Sequence, residues 1–441
     1  MNLQKIKFLG IILIILYSQL NILIYISGFS KSESYCGIKY DPDSTPNNDV
    51  LRIQSENGPL IYVINSTHGP AFHYPSVTGD IYCVYYGSEG ALLSIPRIYF
   101  ACSGSSLKVT GRNGRKLFNT TYLTKSWKSP VYSLHKYGQF NFNHENLSCI
   151  DTPVSKMQLH KKTQFLHDYK YIDRNYYQVG FKVSEIDFLT CYHIVQISGF
   201  YLFGHATVPA LIKKSPKLTG TYEYREGIIR NKNTINFTEI YTKEFQMQHL
   251  RTLMNKETVQ KYFSDDNYLV KGHLVSKDDF FYKAQQISTF NYDNTFPIWR
   301  SIKEGNWQLI GEIVRKLADQ SVSDMEIYTL PFDFLHVNSS TDFFAQNLNT
   351  SMYIPKILAK VVFSSTNHER GLVFHTANDP YINRAEMKKL MLEAEVGLCT
   401  RLLDCDYHPE FHVVKRGLTY CCALEDSKIR NFVMNRIRVK V

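Results

Sequence analysis

Tyr268-Leu-Val-Lys-Gly-His273-Leu, then Gln285-Gln-Ile-Ser-Thr-Phe-Asn-Tyr-Asp-Asn294-Thr-Phe-Pro-Ile-Trp299, then Lys303-Glu-Gly-Asn-Trp307 and Val314-Arg-Lys-Leu-Ala318 form the stretch that decides the fold of this 441-residue chain. Its first part reads as a strand, Tyr268–Val275, with His273 at its end. Its last part sets Trp307, Ile310, Val314 and Leu317 at helical spacing, so a helix over Asn306–Asp319 turns one apolar stripe to a core. A short helix over Phe280–Gln286, capped by Asp279, lies between them. This order carries His273 and Lys303 toward one cleft. Taken singly, each residue has a plain explanation: a Gly-His pair is common, and an isolated Lys303 is a solvated surface lysine. Joint register gives them meaning.

That register, through His273, Asn294, Lys303, Asn306, Trp307 and Arg315, resembles the core of the DNA/RNA non-specific endonucleases. The likeness is greatest to their insect secreted branch, and within it to the salivary nuclease-like, nucleic-acid-binding proteins of tsetse flies. The resemblance implies an α+β fold, with a ββα-metal (His-Me finger) nuclease core of mixed and antiparallel sheets. It implies that His273 is the general base and that Asn294 hydrogen-bonds near the scissile phosphate. Lys271 stands where the family has Arg; it keeps the charge and loses the planar fork that grips phosphate bidentately. In the family an Asn four residues before the Trp holds one divalent metal, with Mg2+ the expected cofactor, and a Glu four residues after it supports the metal's water shell. Here those two positions are Lys303 and Gly311.

A charged lysine has no lone pair to offer a metal. Its ammonium can instead stand where the metal's charge would be and bind phosphate directly. Ground-state attraction survives such an exchange, whereas stabilisation specific to the transition state is largely lost. The resemblance and this substitution together give Lys303, Lys271, Arg300 and Arg315 as nucleic-acid-binding residues, with no certain metal ligand. Asp278, Asp279 and Glu312 are the replacement ligands to consider, although Glu312 lies about 100° around a helix from position 311.

Beyond this core, Phe8–Ile26 is almost continuously apolar after Lys5 and Lys7, which reads as a signal peptide (residues 1–30) cleaved between Ser27 and Ser34. The run is also long enough for a signal anchor; Gln19 and Asn21 interrupt it and no second span follows, so a secreted protein with no membrane contact after cleavage is preferred. All nine cysteines lie beyond it without a zinc-type arrangement, which predicts disulfides of undetermined pairing and one thiol left over. Six Asn-x-Ser/Thr sequons, at Asn65, Asn119, Asn146, Asn236, Asn338 and Asn349, fit a glycoprotein. The formal charge is +10, and removing residues 1–30 leaves +8. That excess favours polyanions, since phosphate contacts supply most non-specific nucleic-acid affinity.

Residues 35–155, with alternating runs such as Ile81–Tyr86 and Arg97–Cys102, read as a β-rich N-terminal region. Ser155–Lys170 reads as a polar, basic connection, and residues 170–441 as the endonuclease-like domain. Strands are expected there at Tyr176–Val183, Tyr192–Leu202, Ile327–Phe334, Lys356–Ser364 and Gly371–Thr376, with a helix at Thr242–Leu253. The sequence reading is a secreted basic protein that binds DNA and RNA, double-stranded and without sequence preference, with weak or lost metal-dependent phosphodiester hydrolysis. Two rivals stand beside it: an active Mg-dependent endonuclease with a rebuilt metal site, and a secreted factor for other polyanions or for proteins.

Overall fold

Strand-forming residues from Lys156 onward build one large antiparallel sheet. In chain order the strands are β1 (Lys156–His167), β2 (Lys170–Lys182), β3 (Phe188–Ile197), β4 (Tyr201–Val208), β5 (Leu269–His273), β6 (Thr295–Trp299), β7 (Met325–Phe334), β8 (Pro355–Ser364), β9 (Asn367–Ala377) and β10 (Thr419–Ala423). Eight of them form the sheet in the order β1-β2-β3-β4-β7-β8-β9-β10, while β5 and β6 pair apart as a hairpin. The computed structural model describes residues 34–40, 51–53, 57–65, 69–74, 81–85, 97–113, 116–122, 131–133, 146–167, 170–183, 187–197, 201–210, 222–229, 236–253, 255–321, 323–335, 353–392, 398–403, 408–430 and 433. The leader read at residues 1–30 lies outside them. No described helix is long and apolar enough to cross a membrane.

β8 shows why the sheet is central. Its Leu358, Val361, Val362 and Phe363 are all buried, so both faces are covered and the strand is a continuous apolar run instead of an alternation. One face carries Phe181, Ile194, Leu202, Ile327, Leu358 and Phe374 and packs against the segment around the hairpin. The other, with Tyr176, Val195, Phe203, Tyr328 and Val373, is covered by Cys399, Leu424 and Val433. Helices α1 (Phe237–Ile240), α2 (Lys243–Leu253), α3 (Lys256–Tyr262), α4 (Lys283–Ser288), α5 (Gln308–Gln320) and α6 (Arg384–Leu392) surround the sheet. On α5 the residues Ile310, Val314 and Ala318 are buried at i, i+4 and i+8 and face that core. Mixed helices and antiparallel sheets make this an α+β protein.

Residues 34–149 hold ten described strands, in a six-stranded and a four-stranded sheet. Cys102 is bonded to Cys149, and Cys399 to Cys422. Cys191 is a buried free thiol. Phe72 and Tyr74 of this N-terminal part pack on Tyr282 beside α4.

Three element readings change. Ser155–Lys170 is no connection: most of it is β1, an edge strand whose Lys156, Gln158, His160, Lys161 and Lys162 are exposed, so no alternation marks it. The run Tyr192–Leu202 divides into β3 and β4, with Ser198-Gly199 in the sequence between them. The helix expected from Phe280 begins at Lys283, because Ser276 and Asp279 close a capping box on a separate 3-10 turn, Lys277–Asp279. Asp279 therefore caps that turn.

The end of the hairpin meets the sheet at a close backbone approach. A Cβ on Gly204, in β4, would lie 2.7 Å from the Leu274 carbonyl, one residue beyond His273. Gly204→Ala is expected to destabilise the fold by about 1–3 kcal/mol, measured as a lowered denaturation midpoint with an unchanged urea m-value.

Candidate functional site

The β5–β6 hairpin sets His273 opposite Thr295 and Lys271 opposite Pro297. Beyond it, the Asn294 side chain is fully buried. Its Oδ1 accepts from Val275 N at 2.9 Å, and its Nδ2 donates to the carbonyls of Val275 and Thr289, each at 2.9 Å. All of its polar capacity goes to backbone. Where the sequence reading expected a contact near the scissile phosphate, the structure shows Asn294 as a brace that fixes the turn after His273.

Its neighbour Asp293, also fully buried, braces a second segment. Asp293 Oδ2 accepts from the backbone N–H groups of Ile228 and Ile229 at 2.7 and 2.8 Å. Gly227 lies so close that a Cβ there would stand 2.1 Å from the carboxylate. Arg225 donates to the Ser155 carbonyl and hydroxyl, and its backbone bridges Phe290 and Tyr292. The segment Tyr222–Ile229 is thereby strapped across the hairpin. Its Tyr224 ring stacks on the His273 imidazole, with centroids 5.7 Å apart and planes at 18°. Tyr224 Oη and His273 Nε2 share a hydrogen bond of 2.9 Å. Sequence reasoning missed this strap, since Tyr222-Glu-Tyr-Arg-Glu-Gly has no periodicity and no motif that marks it.

Positive charge dominates the surroundings. Burial first, then the charges of Lys303, Lys271 and Lys277, push the His273 imidazole down to about 3. Lys271 is half-buried, with its ammonium 4.8 Å from the Tyr224 ring centre, 5.0 Å from Tyr241 and 5.8 Å from Tyr292. Burial lowers its pKa. Lys303 is half-buried too, its pKa lowered by burial, with Glu304 acting the other way and Lys271 adding to the lowering. Among the described residues neither lysine forms an ion pair. Lys303 begins a π-helical turn, Lys303–Trp307, that runs into α5. Buried Asn306 anchors it by donating to the carbonyls of Glu410 (2.8 Å) and Gly417 (2.6 Å).

The remaining sequence candidates take other places. Arg300 pairs with Glu304 at 2.9 Å and lies over Tyr268. Arg315 turns toward buried Asp279, 3.9 Å away, and its Nη1 would lie 3.2 Å from a Cβ on Gly311. The missing side chain at position 311 leaves that room. Lys360, fully buried in β8, holds its ammonium 4.9 Å over Trp307 and is the second cation acting on Asp279. Burial raises the Asp279 pKa while Lys360 and Arg315 oppose it.

These partners decide the fit of a divalent metal. Around His273 stand three ammonium groups. Asp278 is exposed and pairs with Lys277, Asp279 is held by its cap and its cations, and Glu312 is exposed beside Gln308. Among the described residues none of the three proposed substitutes joins His273 in a group with metal-ligand spacing, so the described residues do not fit a Mg2+ site. Among the described residues one group has metal-ligand spacing, His375 with Cys399 and Cys422, and its two sulfurs are bonded to each other.

Two outcomes test the geometry. Asn294→Ala leaves a buried N–H and two carbonyls without partners and is expected to cost about 2–4 kcal/mol of folding stability, read by urea denaturation. An imidazole held at about 3 in the fold and near 6.5 when unfolded contributes stability that is fully present above pH 6.5 and is lost as pH falls toward 3. Between pH 7 and pH 5 the protein should therefore lose about 2 kcal/mol more than His273→Asn does.

Residues 221–427 match the family model for DNA/RNA non-specific endonuclease. Salivary protein Tsal2A of Glossina morsitans morsitans is 26% identical over 263 residues, 58% of this chain and 63% of that protein. Salivary protein Tsal1 of the same species is 24% identical over 295 residues, 64% of this chain and 68% of that protein. A salivary endonuclease of Lutzomyia longipalpis is 29% identical over 175 residues, 38% of this chain and 40% of its own length. The match thus spans less than two thirds of Tsal2A and of the Lutzomyia protein.

Proposed function

The chain belongs, through residues 221–427, to the DNA/RNA non-specific endonuclease family, and on that premise we propose that it is a secreted protein that binds DNA and RNA without sequence preference and hydrolyses them weakly or not at all. The observation that carries this reading is the pair of half-buried ammonium groups, Lys271 and Lys303, that flank His273 and form no ion pair among the described residues. Desolvated ammonium groups that no described carboxylate pairs closely, with Glu304 acting on Lys303 only beyond ion-pair distance, favour an added anion. A phosphodiester supplies it at every nucleotide, in duplex DNA and RNA alike, and says nothing about sequence. In this reading residues 1–30 are the secretory leader, and residues 170–441 carry the nuclease-like domain.

Hydrolysis needs more than attraction. It needs a base able to take a proton near neutral pH and charge that stabilises the phosphorane and the leaving oxygen. An imidazole pushed down to about 3 is a weak base, and Tyr224 occupies its Nε2. Lysines bind the ground-state phosphate nearly as well as the transition state, so they supply affinity without comparable acceleration.

Two measurements test this. Lys303→Ala is expected to weaken binding of a short duplex in EDTA by roughly 1.5–3 kcal/mol at most, while Lys388→Ala, on an exposed face of α6, changes it far less. Equal small losses would reduce Lys303 to one more surface charge. Lys303→Asn combined with Gly311→Glu removes one of the charges that depress His273 and restores both family positions, so Mg2+-dependent cleavage should rise well above the parent's. A parent already cleaving at ordinary nuclease rates would sink the proposal.

A further inference from the structure

We infer that Tyr222 and Phe290, with the edge of Tyr224, form a stacking subsite for an unpaired nucleobase next to the phosphate held at His273. This rests on the phosphate-binding reading above and adds a substrate preference to it: single-stranded or frayed nucleic acid over intact duplex.

The rings lead away from the lysines in a row. Phe290 meets the His273 ring edge-on with centroids 5.9 Å apart, and meets Tyr224 edge-on at 5.3 Å. Tyr222 lies against Phe290 at 5.5 Å. Tyr222, Tyr224 and Phe290 are all half-buried, whereas the layer beneath them, Phe237, Tyr241 and Tyr292, is buried and closed on itself. The lower layer is the packed core, and the upper layer presents aromatic surface beside a cationic pocket.

A polynucleotide alternates an anionic phosphate with a flat π surface a few ångströms away. Cations beside half-open rings match that alternation. Every base has a π face, so the subsite is tolerant of sequence. In a duplex the faces are occupied by neighbouring base pairs, so only an unpaired base can use it. The rings are also preorganised: the Arg225 backbone N–H donates to Phe290 O, and the Asp293 carboxylate holds Ile228 and Ile229. Little ordering remains to oppose binding.

Fluorescence anisotropy in EDTA at fixed salt separates the two readings, using a short single-stranded oligodeoxynucleotide, the same strand with abasic residues but all phosphates, and the blunt duplex. The base-bearing strand should bind roughly five- to a hundredfold tighter than the abasic strand, by the usual effect of one or two stacked bases. Tyr222→Leu with Phe290→Leu, which keeps apolar volume but no ring, should abolish that gap and leave abasic affinity unchanged. Tyr222→Phe with Phe290→Tyr keeps the rings and should keep the gap. Equal binding of the two strands by the parent, or a gap that survives the leucine pair, overturns the subsite while leaving the phosphate reading intact. Failure of the phosphate reading shows differently, as an abasic-strand affinity that Lys303→Ala does not change.

Discussion

Two adjacent buried side chains, Asp293 and Asn294, tie together the segments that reach His273. Asn294 closes the turn from Val275 to Thr289, and Asp293 gathers the backbone of Ile228 and Ile229. Without them the turn after His273 would lose its brace, and the strap that carries Tyr224 would be held by Arg225 but not at Ile228 and Ile229. Burying a carboxylate is costly unless its lone pairs are satisfied. The two N–H donors meet that cost for Asp293 and fix the strap's position at the same time. The site is thus set by a few polar contacts inside an otherwise apolar shell.

On this frame the charges have an arrangement opposite to that of a metal centre. A divalent ion gathers carboxylates, amides and neutral imidazoles. Here the acids are used up elsewhere: Asp279 by its turn, Arg315 and Lys360, Asp278 by Lys277, Glu304 by Arg300. What is left around His273 is cationic and aromatic. Lys271 beneath three tyrosine rings keeps its charge compatible with partial burial through the negative faces of those rings. Such a pocket suits an anion attached to something flat.

Much of the scaffold was legible because periodicity reports burial directly. The α5 stripe, the β7 and β8 runs and the position of His273 at a strand end all follow from it. β1 was misread because an edge strand exposed on both faces leaves no alternation. The site was half legible. His273, Lys271 and Lys303 come from register, but the role of Asn294 does not: its residue type suits a phosphate contact and a backbone brace equally, and only burial separates them. Tyr222, Tyr224, Phe290 and Asp293 act through contacts between segments far apart in sequence, or, for Asp293, through its neighbour's turn, and no local pattern announces that.

The central claim is that unpaired lysine charge has taken over the electrostatic task at His273. Its most direct test is the dependence of affinity on salt, measured for one short oligonucleotide in EDTA with the parent and with Lys303→Ala. The account predicts a linear fall of log affinity with log salt, and a slope reduced in magnitude by about one on losing Lys303. An unchanged slope and affinity in Lys303→Ala, or parent binding that disappears on chelation, would contradict it.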